Sequence, residues 1–356
     1  MEIISTRIAH QHLGHKKFAS PEKVVEWFSA VQAQDYHAAK WGLALRLNSA
    51  TDAGLDERFN AGAFLRTHVM RPTWHFVPPQ DVRWMQQATA HRVRMLMAAD
   101  DRKLGVDRKL IRRTNALLEK ELRDKTFLTR DELSARLKKN GITASGQMLA
   151  HIMMHAELDA LICSGPRHGK QFTYALLDER APKQRVMEKQ EALAALAGSY
   201  VRSHGPVQTK DFAWWSGLTL KEAETGLNAA SSALVRTVIG GTEYWSTSKR
   251  TPSAPASPFV LLLSFFDEFN IAYKDRSVLG GDAFGTVLKS MGNDLTALLV
   301  IDGRIAGTWK RTIGNGKAEL IVSPLRRLTK EERAATEEAA ERYGTFVQLP
   351  VVIQFR

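Results

Sequence analysis

The sequence predicts an α+β fold made of three tandem winged-helix units followed by a C-terminal β-rich α+β domain. Three observations carry this expectation. A pattern of two helices and then a β-hairpin recurs three times before residue 250. A run of prolines and small polar residues, SKRTPSAPASP at 248–258, reads as a linker. Beyond it, apolar strands alternate with tight turns. The expected units are 1–100, 101–184, 185–250 and 251–356, and a chain of 356 residues is long enough for all four.

In the first unit, Pro21 after Ser20 starts a helix through EKVVEWFSAVQ, because its fixed φ and missing N–H suit a helix's first turn. Val24, Val25, Trp27 and Phe28 read as core. This spacing places Gln32, Ala33 and Gln34 at the end of that helix, at a helix-turn-helix elbow. Asp35 is the expected N-cap of the next helix, YHAAKWGLALRL. The strand pair LRTHVMRPTWHFV (65–77) follows as the wing. In the second unit, Thr129 and Glu132 form a capping box ahead of RDELSARLKKN, and Gly141 closes that helix. SGQMLAHIMMHAELD and the hairpin ALICSGPRHGKQFTYAL (160–176) follow. The third unit reads as a helix over 185–204, a second opened by Thr209, a third opened by Thr219, and the hairpin ALVRTVIGGTEYWS (233–246). Two helices, a tight turn and a hairpin make the winged-helix pattern, which serves DNA binding and also protein-interaction scaffolds.

The C-terminal region reads as a small sheet with a helix. PFVLLLSF (258–265) and TALLVI (296–301) are expected buried strands. Asp302-Gly303 is a two-residue hairpin turn, GNG (314–316) is another, and Thr329 caps a helix over 328–344. These hairpins carry Arg304, Lys310, Arg311 and Lys317. Such residues either enter a DNA groove or guard a solvated sheet edge.

Charge narrows the partner. There are 50 Lys and Arg against 38 Asp and Glu, a net +12. Such a surplus favours a polyanion, though a basic protein without one is the competing reading. No apolar run reaches the length a membrane helix needs, and MEIISTRIAH lacks the basic and apolar regions of a signal peptide. A cytoplasmic location and no membrane partner are therefore expected. Cys163 is the only cysteine, so neither an intramolecular disulfide nor a thiolate metal cluster can form. His151 and His155, four apart on a helix, make half a zinc site with no evident further ligand. No metal and no cofactor are expected, and the common phosphate-loop, dinucleotide and nucleophile-elbow motifs are absent.

Three polar groups stand out: Gln32-Ala33-Gln34; RTHVMRPTWH (66–75), in which Thr73 and His75 share a strand face opposite Trp74; and FDEFNIAYKDRS (266–277). From spacing alone the glutamines read as closing a helix end or contacting phosphate. Thr73 and His75 either line a pocket or satisfy buried polar groups. Asp275 and Arg276 are expected to form a structural ion pair rather than to contact DNA.

VQAQD (31–35), LRTHVMRPTWHFV (65–77), FDEFNIAYKDRS (266–277) and VIDGRIAGTWKR (300–311), in that order, resemble the AlkZ-type family of winged-helix DNA glycosylases. The resemblance spans nearly the whole chain. It implies a monomer acting on double-stranded DNA that carries alkylated bases. It implies monofunctional excision of N-alkylated bases, in some members including bulky N7-guanine adducts and interstrand crosslinks. The family's Gln-apolar-Gln catalytic motif falls on Gln32, Ala33 and Gln34; a related branch has Asp at the second polar position. Asp35, Thr73, His75 and Asp275 are then candidate pocket residues. Arg66, Arg71, Lys274, Arg276, Arg304, Lys310, Arg311 and Lys317 are candidate DNA contacts.

Two glutamines suit one kind of lesion. A purine alkylated at N7 or N3 is already cationic and leaves as a neutral base, so no general acid is required. A carboxamide offers both an acceptor and donors, which can orient a water. Gln34 is the expected water holder and Gln32 its support, with Asp35 as the rival water activator. The alternative function is a non-catalytic winged-helix DNA-binding protein or transcriptional regulator.

Overall fold

The computed structural model describes residues 2–183, 187–248, 252–280 and 297–356. The first segment contains α1 (Ile3–His10), α2 (Pro21–Phe28), β1 (Val31–Gln32), α3 (Tyr36–Ala44), α4 (Asp52–Asn60), β2 (Leu65–His68), β3 (Trp74–Val77) and the long α5 (Val82–Leu104). Next come α6 (Arg108–Glu121), β4 (Leu128–Thr129), α7 (Arg130–Lys139), α8 (Gly146–Leu158), β5 (Ile162–Ser164), β6 (Thr173–Leu176) and α9 (Leu177–Arg180). The third set is α10 (Lys189–His204), α11 (Thr209–Ser216), α12 (Leu220–Ala229), β7 (Val235–Ile239) and β8 (Thr242–Ser246). The last is β9 (Val260–Leu262), α13 (Glu268–Ile271), β10 (Ala297–Ile301), β11 (Arg304–Gly314), β12 (Lys317–Pro324), α14 (Lys330–Val347) and β13 (Val351–Phe355).

All three expected hairpins form: β2 pairs with β3, β5 with β6, and β7 with β8, each antiparallel. Helices precede each hairpin, an arrangement compatible with three winged helices. Local chemistry explains where many elements begin. Thr129, Thr219 and Thr329 each accept from the backbone N–H three residues on, while Glu132, Glu222 and Glu332 reach back, completing capping boxes. The third unit's second helix is capped one residue earlier than expected: Gln208 and Asp211 make the box, and Thr209 is its first helical residue. Of the expected linker, 249–251 lie outside the described residues, as do 185–186 of the expected helix 185–204 and the first residue of the expected strand 296–301. Residues 252–258 form neither helix nor strand.

The five-stranded C-terminal sheet has the order β13-β12-β11-β10-β9, antiparallel except for the parallel β12–β13 pair. Both of its expected turns form, with positive φ at Asp302 and Gly303 and at Asn315 and Gly316. Packing does not follow chain order. One apolar cluster joins Val24, Phe28, Trp41 and Phe76 to Leu262, Leu299, Trp309 and Tyr343. The Trp41 indole donates to the Leu262 carbonyl at 2.7 Å, and the Trp309 indole to the Leu263 carbonyl at 2.8 Å. A second cluster joins Leu65, Val77 and Met85 to Leu196, Tyr200, Phe212 and Trp215. The middle segment has its own core around Leu118, Leu133, Leu149 and Ile152. The first hairpin is thereby held between the third unit and the C-terminal sheet.

Candidate active site

Gln32 ends a short strand and Gln34 lies just beyond it; neither is at a helix end. Helix α2 stops at Phe28, and Ser29 takes a left-handed φ of 62° that turns the chain out of the helix. Val31 and Gln32 then add an edge strand to the first hairpin, opposite Phe76 and His75. The Ala33 N–H extends the pairing by donating to the Trp74 carbonyl at 2.8 Å. Gln34 follows at a bend, two residues beyond Gln32. Sheet pairing of Val31, Gln32 and Ala33 thus takes the place of the helix end expected here.

Gln32 is buried and held at several points. Its backbone N–H faces away from β3 and donates to Glu268 Oε1 at 2.9 Å. Its side-chain Oε1 accepts from Arg71 Nη2 at 3.2 Å. A guanidinium only donates, so this contact fixes the carboxamide with its oxygen towards Arg71 and its NH2 elsewhere. Gln34 is exposed. Its Oε1 accepts a longer bond, 3.3 Å, from the Trp74 N–H. One glutamine is therefore locked and the other presented to solvent.

Glu268 belongs to the polar 266–277 stretch that the sequence singles out, but no site role was expected for it. It is buried, and it joins three parts of the chain. Besides Gln32, it accepts from the Trp215 indole at 3.0 Å and faces His204 Nε2 at 3.3 Å, both through Oε2. Burial pushes its carboxyl pKa up, but hydrogen bonds from His204 and the Gln32 N–H, with the nearby Arg71 charge, bring it net below the usual value. It stays ionised, with its oxygens committed to these donors. No pattern in the sequence links residue 268 to residue 32; only the fold does.

The other candidates are distributed unevenly. Asp35 accepts from the Ala38 N–H at 2.9 Å, so it is the N-cap of α3. His75 is fully buried opposite Gln32 and Thr67. Its Nδ1 meets the Thr73 carbonyl at 2.9 Å, while its Nε2 and the Thr73 hydroxyl are buried without partners among the described residues. Burial drops the His75 pKa to about 3, helped by Arg71. A neutral imidazole sealed beneath the strand supports Gln32 rather than donating a proton.

Asp275 lies against the third unit. It accepts from the Ser277 hydroxyl at 2.7 Å and from Lys210 at 3.2 Å. Those Ser277 bonds, more than the Lys210 charge, hold its carboxyl well below the usual range. The expected Asp275–Arg276 ion pair does not form; Lys210 takes the carboxylate, and Arg276 Nε donates to the Tyr273 carbonyl at 3.2 Å. His151 and His155 both bond one carboxylate, Asp101, at 2.7 and 3.0 Å. No group of metal-binding side chains assembles among the described residues.

The candidate DNA contacts separate into classes. Arg66 and Arg71 flank the glutamine strand: Arg66 donates to the Ala33 carbonyl at 2.9 Å and the Gln34 carbonyl at 3.4 Å. Lys274 is exposed, 4.6 Å above the ring of the exposed Trp214. The turn before Arg304 is seated on the body, because a Cβ on Gly303 would lie 2.0 Å from Ile4. The Gly314–Gly316 tip has open space around it. On that second hairpin Lys310 is exposed, Arg311 bonds the Tyr343 hydroxyl, and Lys317 pairs with Glu319 at 2.7 Å.

With this geometry in place, comparison with known proteins decides the class. The family model described as DNA glycosylase AlkZ-like matches residues 25–346. The chain belongs to the AlkZ-like DNA glycosylase family. It is accordingly an enzyme that hydrolyses N-glycosyl bonds, and its substrate is DNA. One relative in the AlkZ-like group is an interstrand DNA cross-link repair glycosylase from Streptomyces sahachiroi. It is 23% identical over 340 residues, covering 91% of this chain and 90% of the relative. The solved structure of Streptomyces sahachiroi DNA glycosylase AlkZ superposes with a TM-score of 0.82 at 20% identity. That match covers 99% of this chain and 98% of the other. The shared fold is thus continuous from end to end.

Proposed function

We propose that this glycosylase excises cationic N-alkylated purines, N7-alkylguanine first among them, and that it extends to interstrand crosslinks, the substrate named for the Streptomyces sahachiroi relative. The observation that carries this reading is the pairing of an exposed Gln34 with an immobilised Gln32, beside carboxylates already committed elsewhere. Glu268 is engaged by its donors, Asp35 caps a helix, and His75 is held neutral. A base that needs protonation to leave would find no acid in this set. A cationic purine needs none, because it departs as a neutral molecule when the C1′–N bond breaks.

In this reading Gln34 accepts a hydrogen bond from the attacking water and aims it at C1′, keeping the role expected for it. As the C1′–N bond breaks with its electrons on the leaving base and the C1′–O bond forms, the water's proton passes to solvent. Gln32 holds the opposite side, its carbonyl turned to Arg71 and its NH2 free to donate. Water attack without a lysine nucleophile makes the enzyme monofunctional. Duplexes carrying N7-methylguanine, a bulky N7 adduct or an N7-linked crosslink are incubated with the protein and assayed for abasic sites. Release from all three, with intact guanine untouched, is expected. No release from any of them would overturn the proposal.

A further inference from the structure

Arg66 is the more buried of the two arginines on the first hairpin. It is only 8% exposed, and no carboxylate pairs with it among the described residues. Its guanidinium lies 4.2 Å from the Trp74 ring centre and 4.6 Å from that of Phe172. Burial lowers its pKa to about 10, which leaves it charged near neutral pH. A buried cation without a counter-ion is costly, so such a site favours an anion from outside. Arg66 lines an open cleft of about 300 Å³ between the first hairpin and the second unit. Trp74, Phe172, Arg130, Lys170 and Asp131 line it too, giving three cations to one acid. Lys170 is exposed and forms no ion pair among the described residues. Among the described residues Arg130 bonds only the Gly146 carbonyl, at 2.5 Å.

The same guanidinium holds the catalytic segment. Nε and Nη2 donate to the carbonyls of Ala33 and Gln34, while Nη1 has no partner among the described residues and is not a sealed atom. Arg66 thus has one edge for the protein and one for a ligand. The Trp74 and Phe172 ring faces cover much of the guanidinium, and a charge-assisted bond formed in that partly desolvated setting is strengthened.

We propose that this cleft is a phosphodiester subsite. One DNA phosphate beside the lesion binds Arg66 with help from Lys170, and its capture sets the position of the Ala33–Gln34 segment. Arg66 is then a positioning residue as well as a phosphate ligand, and backbone recognition is coupled to the chemistry. The proposal rests on the glutamine pair being the catalytic site, but its central claim is about binding.

The test replaces one phosphodiester at a time by an uncharged methylphosphonate, on both strands around N7-methylguanine. Affinity and the saturating single-turnover rate are measured for the native protein, Lys170→Ala and Arg66→Lys. The native protein is expected to lose at least about tenfold in affinity at one position, the scale of a lost charge-assisted hydrogen bond. Its excision rate should also fall there at saturation. In Lys170→Ala, an exposed and fold-safe change, the loss at that position should shrink to roughly threefold or less. Arg66→Lys should keep affinity within about tenfold yet lose the rate effect, because lysine lacks the fork that holds the two carbonyls. A scan with no position whose cost depends on Lys170 or Arg66 overturns the subsite. Absence of excision from unmodified lesion DNA would count against the catalytic reading alone, since the affinity scan still decides the subsite.

Discussion

A carboxamide neither takes nor gives a proton near neutral pH, and that limitation defines what Gln34 can do. In the proposed mechanism its contribution is an oriented dipole and a hydrogen-bond acceptor for the water. Removing one such group costs about 10²–10³ in rate in comparable sites. Gln34→Ala is therefore expected to cut single-turnover excision by about that factor. Because Gln34 is exposed and holds only a long bond to Trp74, DNA affinity should stay within roughly threefold. Parallel loss of both in filter-binding and excision assays would make Gln34 a binding residue instead. His75 supplies a pH prediction. Its folded pKa is about 3, against 6.5 for the free group. Below pH 6.5 the unfolded chain takes a proton that the folded chain refuses. Stability is thus full above pH 6.5 and falls as pH drops towards 3. His12, lowered to about 4 by burial, adds the same sign. Urea midpoints should decrease between pH 7.5 and pH 5. His75→Gln, which cannot titrate there, should be weaker at pH 7.5 yet lose less on acidification.

At the scale of elements, the strand β1 is where sequence reasoning and structure part. The helices after Thr129, Thr219 and Thr329 were legible through local capping boxes, and α2 through Pro21 in its first turn. The three hairpins were legible because apolar and aromatic alternation meets a turn in each. A two-residue strand leaves no such trace. Val31 and Gln32 are extended because β3 offers them partners more than forty positions away. The candidate site was readable as a pair of residues, while its geometry and its anchor, Glu268, depend on contacts 236 positions apart. That anchor predicts a separable effect. Glu268→Gln keeps the size but loses the charge and one acceptor oxygen, weakening the hold on His204, Trp215 and the Gln32 N–H. The maximal excision rate should fall by about tenfold or more, while DNA affinity changes little. Glu268→Asp, which keeps the charge, should recover part of that rate. Equal loss of affinity and rate would mean that β1 is not what the carboxylate holds.

The whole molecule is organised around contacts between segments distant in the chain, and the first segment depends on the last. Asp267, next to the Glu268 anchor, accepts two bonds of 2.9 Å from Arg46 at the end of α3. Arg46 also bonds Gln11 at 2.7 Å, Gln11 bonds the Tyr273 hydroxyl, and Tyr273 bonds the His204 carbonyl. This buried network runs through the first unit, the third unit and the 266–277 stretch, close behind the glutamine strand. Removing one charge from a buried pair leaves the other uncompensated and costs about 3–5 kcal/mol. Asp267→Asn should therefore destabilise the protein by about that amount. Because one apolar cluster joins α2, α3 and the C-terminal sheet, these segments should unfold together rather than in turn. Tryptophan fluorescence, which includes Trp41 and Trp309 in that cluster, and far-ultraviolet circular dichroism should then give coincident urea transitions for their unfolding. The Asp267→Asn change should shift that transition as a unit and lower excision with it. A variant in which Trp41 and Trp309 report separate transitions would show that the first hairpin is held without the C-terminal sheet.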